Sequence, residues 1–518
     1  MRATSILLHG FRYRFVCAAT SLVVAASSVV IAAPFARAQN CDREPTGTQT
    51  SDYNLAFTVP QNLMPDSRFA DRSATIRVHR VSPTYARGKC PGVQNLATVL
   101  VHGRAQPGST TFDLRAQDAA GGSLSLQEAL ARAGIDTFAP DLLGYGRSTR
   151  FEDGLDDPAN ASLPGYGPGD TCATPAAGCD KTRNANIFPL NQQARYLGDG
   201  ITPPIEGLGV NPLQGELRPH KSHTYFANID VWVRDIMQVI DDAIAKAQPR
   251  ANKVVLLGYS FGGPRVARTL YRLGEQADRK VSQLVFVDSL FNRLPGQTTD
   301  VNLPTEEAQL PPVDRSTSFP LNISPTGGWD PISPGREPAC AGRIPAGAPQ
   351  ALKQQVLELD PLGASWGGSD AELPTGVLRS PTFTLYGWNP TVAATFDQPT
   401  LILHGAEDLP APLVNADNMF NALTSVTNKA VVKVECGSHF MPAEGCDPTR
   451  SSRCDDGIPD TIPYGQTSQV WAGPHSTAAA AVAEWVKRGT FNSKECGRFR
   501  VNASGIVNEE APTGCPGA

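Results

Sequence analysis

The chain has 518 residues, a formal net charge of −5, 41% hydrophobic residues and 18% charged residues. This composition supports a sizeable apolar core and excludes disorder throughout. The sequence has no long run of lysine and arginine, which argues against a nucleic-acid-binding protein. With 47 glycines and 44 prolines, much of the chain is expected to form loops.

Residues 1–38 have the pattern of an export signal. Early arginines precede an apolar stretch at 15–35, and Ala36-Arg37-Ala38 fits the small-x-small rule for cleavage. An uncleaved membrane anchor is the alternative, because the apolar stretch is long enough to span a bilayer. We expect cleavage, and therefore a secreted or periplasmic protein with no stable membrane insertion.

The cysteines support export. The sequence has 11 cysteines, and removal of Cys17 with the signal leaves an even number, typical of disulfides in exported chains. Neighbours in sequence suggest the pairs Cys172–Cys179, Cys446–Cys454 and Cys496–Cys515. A zinc site is the competing interpretation, although the sequence contains no CxxC pair and no His-x3-His spacing.

The first part of the mature chain predicts a parallel sheet, since strand patterns alternate with a helical one. Strands are predicted at 53–59, 74–81, 96–101 and 136–140, with a helix at 123–133. From about 150 to 225 the pattern is lost. Glycine, proline, asparagine and aspartate dominate that stretch, which we interpret as an insertion or long loop.

The second part resumes this alternation. It predicts helices at 229–247, 266–276, 415–423 and 476–487, and strands at 253–257, 281–287, 399–403 and 430–435. Within this second part, between the strands predicted at 281–287 and 399–403, residues 291–397 are irregular and contain Trp329, Trp366 and Trp388. These tryptophans are expected to line a substrate pocket or to form the core of this segment itself.

The predicted fold is therefore α/β, with a mostly parallel central sheet flanked by helices and irregular cap insertions. The predicted organisation is a signal peptide at 1–38, a first core part at 39–290, a cap at 291–397, a second core part at 398–490 and a C-terminal tail at 491–518.

The motif Gly258-x-Ser260-x-Gly262 lies between a predicted strand and a predicted helix. A nucleophile on such a sharp turn needs small neighbours, which the two glycines provide. The helix that follows places its first N–H groups near a developing oxyanion. The bare motif is weak, and its position between the two elements makes it specific.

A nucleophilic serine needs a histidine base that an acid orients, in the chain order serine, acid, histidine. His439, in the loop after the last predicted strand, is the predicted base. His475 opens the final helix and is interpreted as a surface or capping residue, whereas His404 ends a strand and is interpreted as structural.

Asp408 is the favoured acid, because it lies in the loop that follows a strand next to the histidine loop. Asp288, at the end of the preceding strand, is the alternative acid. Its competing interpretation is a residue that caps backbone N–H groups.

Five motifs resemble successive landmarks of the α/β-hydrolase superfamily over about 96–440, and they occur in that family's order. They are Leu-Val-His102-Gly103, Asp141-Leu-Leu-Gly144-Tyr-Gly146-Arg-Ser148, Gly258-Tyr-Ser260-Phe-Gly-Gly263, Gly405-Ala-Glu-Asp408 and Gly437-Ser-His439-Phe440.

The resemblance implies a triad of Ser260, Asp408 and His439. It also implies an oxyanion hole formed by the backbone N–H groups of Phe261 and Arg104, with His102 shaping the turn. The haloalkane and epoxide branches of the superfamily carry aspartate at the elbow, so Ser260 argues against them.

The expected activity is hydrolysis of a carboxylic ester or lactone, in a small molecule or a polymer, with no metal and no organic cofactor. An exported peptidase or amidase of the same fold is the alternative, for which Asp330, Asp370 or Glu372 in the cap could hold a substrate amine. A non-catalytic binding protein is disfavoured because all three triad residues are present. We expect activity to fall at acid pH as His439 is protonated.

Overall fold

Buried apolar strands carry the fold of the unit Cys41–Ala518 in the computed structural model. The structure describes residues 41–63, 70–104, 106–118, 121–150, 229–292, 303–310, 321–324, 340, 343–365, 378–381, 386–445, 473–503, 505–511 and 513–516. The predicted signal and almost all of the insertion at 150–225 lie outside these residues, as do Trp329, Trp366, Asp330, Asp370 and Glu372.

The strands follow the apolar runs of the sequence closely. They are β1 (Gly47–Thr58), β2 (Ser73–Thr84), β3 (Leu96–Val101), β4 (Ile135–Asp141), β5 (Val254–Tyr259), β6 (Val281–Val287), β7 (Leu321–Ser324), β8 (Leu378–Pro381), β9 (Thr400–Gly405), β10 (Lys429–Val434), β11 (Gly497–Val501) and β12 (Val507–Glu510).

Ten of the described strands form one sheet in the order β1-β2-β4-β3-β5-β6-β9-β10-β11-β12. The run from β4 to β11 is parallel, and antiparallel strands flank it at both ends. β7 and β8 form a separate antiparallel pair. The mostly parallel sheet expected from the sequence is confirmed.

Helices cover both faces of this sheet. They are α1 (Gly108–Phe112), α2 (Leu126–Arg132), α3 (Asp230–Ala247), α4 (Gly262–Leu273), α5 (Ala277–Lys280), α6 (Ala348–Leu359), α7 (Pro361–Ser365), α8 (Pro390–Ala393), α9 (Val414–Ala422) and α10 (Pro474–Arg488). Short 3-10 turns are Gln61–Leu63, Arg250–Asn252, Gly274–Gln276, Glu307–Gln309 and Met441–Ala443.

Two apolar clusters form the core, one on each face of the sheet. Alternate residues of β5 belong to different clusters, as the two-residue period of a strand requires. On one face α3, α4 and α9 pack against the sheet, and on the other α2, α6 and α10 do so. The continuous apolar character of the central strands follows from burial on both faces.

Local signals set the start of α2 and the end of α3. The helix predicted at 123–133 begins at Leu126, because the side chain of Ser125 caps it by accepting a hydrogen bond from the N–H of Glu128. α3 ends where Gln248 adopts a left-handed conformation with φ of 47°.

Residues 491–518, predicted to be a tail outside the core, contribute two strands to the sheet. Residues 497–501 and 507–510 add β11 and β12 to the sheet, with β11 parallel to β10. The sequence Gly-Arg-Phe-Arg-Val of β11 alternates charged and apolar residues rather than forming a continuous apolar run, which explains why it was not predicted as a core strand.

Trp388 belongs to the main core rather than to a substrate pocket. It is fully buried and stacks on Phe286 of β6 and on Phe396, while Phe291 meets its edge. Residues 386–396 of the predicted cap therefore pack against the sheet, and this tryptophan contributes to stability through aromatic contacts.

Three disulfides join described cysteines, namely Cys41–Cys90, Cys340–Cys436 and Cys496–Cys515. The predicted pairing of Cys496 with Cys515 is confirmed. The first two join cysteines 49 and 96 residues apart, and such pairs cannot be deduced from sequence spacing. The pairings Cys172–Cys179 and Cys446–Cys454 lie outside the described residues.

Within the described part of the chain, no helix has both the length and the apolar character needed to cross a membrane.

Candidate active site

The turn between β5 and α4 holds Ser260 in a left-handed backbone conformation. Its φ is 54°, which residues other than glycine rarely adopt, and its N–H donates to the carbonyl of Val287 at 2.9 Å. A Cβ on Gly258 would lie 2.7 Å from the carbonyl carbon of Gly262, and a Cβ on Gly262 would lie 2.0 Å from the carbonyl oxygen of Val101. Both positions therefore require glycine.

Side chains from three separate loops meet at this turn. Nε2 of His439 lies 2.7 Å from Oγ of Ser260, and Nδ1 of His439 lies 2.9 Å from each carboxylate oxygen of Asp408. The three residues follow β5, β9 and β10, whose carboxyl ends share one edge of the parallel sheet. Such an arrangement allows an imidazole to accept a hydroxyl proton while a carboxylate orients its other nitrogen.

The loop that carries Asp408 is fixed by its own hydrogen bonds. Oδ1 of Asp408 accepts from the N–H of Ala411 at 2.7 Å, and His404 donates from Nε2 to the carbonyl of Ala411 at 2.6 Å. His404 is fully buried, and burial lowers its pKa although the charge of Asp408 opposes this. A neutral His404 thus supports the acid loop, in agreement with its interpretation as structural.

Asp288, the alternative acid, caps the same loop from β6. Its backbone φ is 46°, and its Oδ1 accepts from the N–H of Gly405 at 2.8 Å. This contact matches the capping interpretation. The hydrogen bonds to the histidine base described above come from Asp408.

Asp288, His404 and Asp408 also place one potential metal-ligand atom each within 4.8 Å of one another. Each residue already makes hydrogen bonds that serve the acid loop. We therefore interpret the cluster as the support of the acid loop and derive no step through a cation.

The turn after β3 lies against the nucleophile. A Cβ on Gly103 would be 2.7 Å from Cβ of Ser260. His102 donates from Nδ1 to the carbonyl of Gly103 and accepts at Nε2 from the N–H of Leu142, which fixes its tautomer. Burial and the charge of Arg265 hold the pKa of His102 well below its usual range. His102 therefore shapes the turn as a neutral side chain.

The predicted oxyanion donors belong to the nucleophile turn and to the residues after β3. Phe261 is the residue immediately before α4, and Arg104 directly follows Gly103, on which a Cβ would lie 2.7 Å from Cβ of Ser260. Each donor of this kind is typically worth about 2.7–4 kcal/mol in the transition state. The role of these two N–H groups stays a prediction.

Arg265 was not found by sequence reasoning. It is fully buried in α4, donates from Nη1 to the carbonyls of His102 and Gly103 at 2.8 and 3.1 Å, and donates from Nη2 to the hydroxyl of Tyr145 at 2.9 Å. An arginine one turn after the nucleophile, among small and apolar residues, is the signal that could have indicated it.

The histidine loop has supports that were also missed. The hydroxyl of Tyr259, next to the nucleophile, donates to the carbonyl of His439 at 2.7 Å. His475 is buried rather than on the surface, and it hydrogen bonds through Nδ1 to the carbonyl of Pro442. Its surface interpretation is wrong because the start of α10 packs against this loop.

The sequence matches a known protein family over most of its length. A model of the alpha/beta hydrolase family matches residues 98–450. No curated protein matches the sequence significantly.

Several solved structures are similar over much of the chain. The monoacylglycerol lipase of Paleococcus ferrophilus has 15% identity and a TM-score of 0.36, and covers 85% of this chain and 100% of its own. The esterase of Exiguobacterium antarcticum has 14% identity and a TM-score of 0.32, over 73% and 92%. A thioesterase domain from the curacin biosynthetic pathway has 13% identity and a TM-score of 0.34, over 85% and 99%. These likenesses are too remote to inform the reaction.

Proposed function

The chain belongs to the alpha/beta hydrolase family, and from this premise we propose that it is an exported serine hydrolase that cleaves a carboxylic ester or lactone through an acyl-enzyme on Ser260. The observation that carries the proposal is the continuous hydrogen-bonded chain from Asp408 through His439 to Ser260. The three side chains are largely buried, which protects the hydrogen bonds between them from competing water.

The first half of the reaction forms the acyl-enzyme. Oγ of Ser260 attacks the substrate carbonyl carbon as Nε2 of His439 takes the hydroxyl proton. The N–H groups of Phe261 and Arg104 would stabilise the negative oxygen of the tetrahedral intermediate. The intermediate collapses when His439 gives its proton to the departing alkoxide.

The second half releases the acid. His439 removes a proton from a water molecule, whose oxygen attacks the acyl carbon. The proton then returns to Oγ of Ser260, which regenerates the free enzyme. Asp408 accepts a hydrogen bond from Nδ1–H throughout and stabilises the imidazolium that forms in each half.

Export is part of the proposal because three disulfides join described cysteines. Disulfides persist in oxidising compartments and are rare in the cytosol. Residues 1–38 are the proposed signal peptide that directs this export.

The test is hydrolysis of short and medium p-nitrophenyl esters beside aminoacyl-p-nitroanilides, with wild type and Ser260→Ala. We expect ester turnover that disappears in the variant, because the oxygen proposed to form the acyl-enzyme is Oγ of Ser260. Thermal unfolding of both proteins is the control for folding.

Three other results are informative. Anilide turnover without ester turnover would replace the esterase proposal with the peptidase alternative. If neither substrate is turned over, fluorophosphonate labelling of Ser260 would indicate a narrower ester specificity. Failure of both turnover and labelling would contradict the proposed function.

A further inference from the structure

A buried polar cluster beside His439 plays no part in the mechanism above. Both oxygens of Glu444 engage Ser438, the residue before the catalytic histidine. The N–H of Ser438 donates to Oε2 at 2.7 Å, and its hydroxyl donates to Oε1. Nη1 of Arg343 lies 3.0 Å from Oε1, and the side chains of Arg343 and Glu444 are 1% and 0% exposed.

Arg343 comes from the predicted cap rather than from the core. Its carbonyl accepts from the N–H of Gly445 at 2.7 Å. Its N–H donates to the carbonyl of Cys340, whose disulfide partner Cys436 lies three residues before His439. Cys340 thus contacts the histidine loop covalently, and Arg343 contacts it through the ion pair with Glu444.

The chain that follows Arg343 is anchored to the core. α6 begins shortly after Arg343, and its residues Ala348 and Leu352 belong to the apolar cluster that also contains Phe440 and Met441 of the histidine loop. Gln355 of α6 also donates to the carbonyl of Asp113 at 2.9 Å. Because α6 is held in this way, Arg343 has a fixed position from which it can orient the histidine loop.

Charge explains why the arrangement depends on Arg343. Burial raises the pKa of Glu444 to about 7, while Arg343 and the hydrogen bonds from Ser438 oppose that rise. A buried carboxylate without its cation is costly and tends to take up a proton. A protonated Glu444 keeps only one strong acceptor oxygen, so one of its two hydrogen bonds to Ser438 would weaken and the position of His439 would be less fixed.

We propose that Cys340 and Arg343 position the catalytic His439, acting through the disulfide to Cys436 and through Glu444 and Ser438. The inference rests on the proposed function, because it concerns the same histidine. Arg343, Glu444 and the Cys340–Cys436 disulfide are positioning groups that act through Ser438. The cap therefore contributes to transition-state geometry in addition to any contact with substrate.

The test compares kcat and KM for a p-nitrophenyl ester in the full mature chain. The variants are Arg343→Met, Arg343→Lys and the double variant Cys340→Ser/Cys436→Ser. We expect Arg343→Met and the double variant to lower kcat at least about tenfold with KM changed less than about twofold. A displacement of about 1 Å can cost up to 100-fold in rate. Arg343→Lys keeps the charge and should recover part of kcat.

Two matched controls lie at the amino end of β11, away from the carboxyl ends of the strands that carry the triad. Arg498→Met removes a largely buried arginine at the start of β11 that lies 2.8 Å from Asp417. Cys496→Ser/Cys515→Ser removes a disulfide in the C-terminal segment. Both should lower the thermal midpoint without lowering kcat more than about twofold, when assayed well below that midpoint.

The rate of fluorophosphonate labelling of Ser260 serves as a second readout if a variant is poorly stable. If the wild type is active, and the folded Arg343 and cysteine variants keep its kcat and its labelling rate, the inference is overturned. The proposed function would then still stand. Equal losses in test and control variants would also overturn the inference, since the effect would then follow stability. A wild type without turnover or labelling would overturn the proposed function and the inference together.

Discussion

Replacement of Asp408 by asparagine is the sharpest test of the site, because it changes one atom and leaves the shape of the side chain intact. In the structure Oδ1 of Asp408 accepts from the N–H of Ala411 at 2.7 Å, and both oxygens lie 2.9 Å from Nδ1 of His439. An amide has only one oxygen. If that oxygen stays with Ala411, the NH2 group takes the place of Oδ2, which lies 2.9 Å from Nδ1 of His439.

The consequence is the wrong histidine tautomer. An NH2 group opposite Nδ1 favours the proton on Nε2, which lies 2.7 Å from Oγ of Ser260. His439 can then no longer accept the serine proton. In a serine protease with the same constellation this change lowers kcat about 10⁴-fold. We expect a loss of similar size, equal to about 5 kcal/mol of transition-state stabilisation.

Asp288→Asn is the matched control. Its Oδ1 accepts from the N–H of Gly405 at 2.8 Å, and an amide oxygen can still accept that hydrogen bond. We expect less than a tenfold loss of kcat. The measurement is kcat for a p-nitrophenyl ester, with thermal unfolding of each variant to exclude misfolding. A loss of about 10³-fold or more in Asp288→Asn, with less than tenfold in Asp408→Asn, would refute Asp408 as the acid.

Gly262→Ala should lower ester turnover about 100-fold, because its Cβ would lie 2.0 Å from the carbonyl oxygen of Val101 and must displace the nucleophile turn; turnover within threefold of wild type would contradict this. His79 is buried between Asp52 and Asp113 at 2.7 and 2.8 Å. Burial opposes its charge, but the two carboxylates outweigh burial and raise its pKa to about 9. Its stabilisation should be fully present below about pH 6.5 and lost as pH rises through about 9. His79→Gln should therefore lower the free energy of unfolding by up to about 3 kcal/mol at pH 6, and by much less above pH 9. Denaturant unfolding at both pH values measures the difference, and an equal loss at both would exclude the mechanism.

The order of the elements followed from local patterns. Continuous apolar runs identify the central strands because those strands are buried on both faces of the sheet. The glycines around Ser260 identify the nucleophile turn because a Cβ there would meet backbone atoms. Such signals depend on residues close together in the chain, so a sequence displays them directly.

The sequence was less informative at the edges and in the cap. β11 was not recognised, since its charged residues alternate with apolar ones and its place in the sheet depends on pairing with β10, more than sixty residues earlier. Trp388 was assigned to a pocket or to the cap's own core. It packs instead on Phe286, because residues 386–396 return to the sheet.

The sequence by itself determined the fold class, the nucleophile turn and the order of Ser260, Asp408 and His439. Each of these depends on local geometry or on chain order. Only the tertiary structure decided how two aspartates at the same sheet edge share their roles, with Asp408 on the histidine and Asp288 on a backbone N–H. It also decided that Cys340 and Arg343 of the cap meet the histidine loop. These contacts join residues about one hundred positions apart, and spacing along a chain carries no information on which distant side chains a fold brings into one buried place.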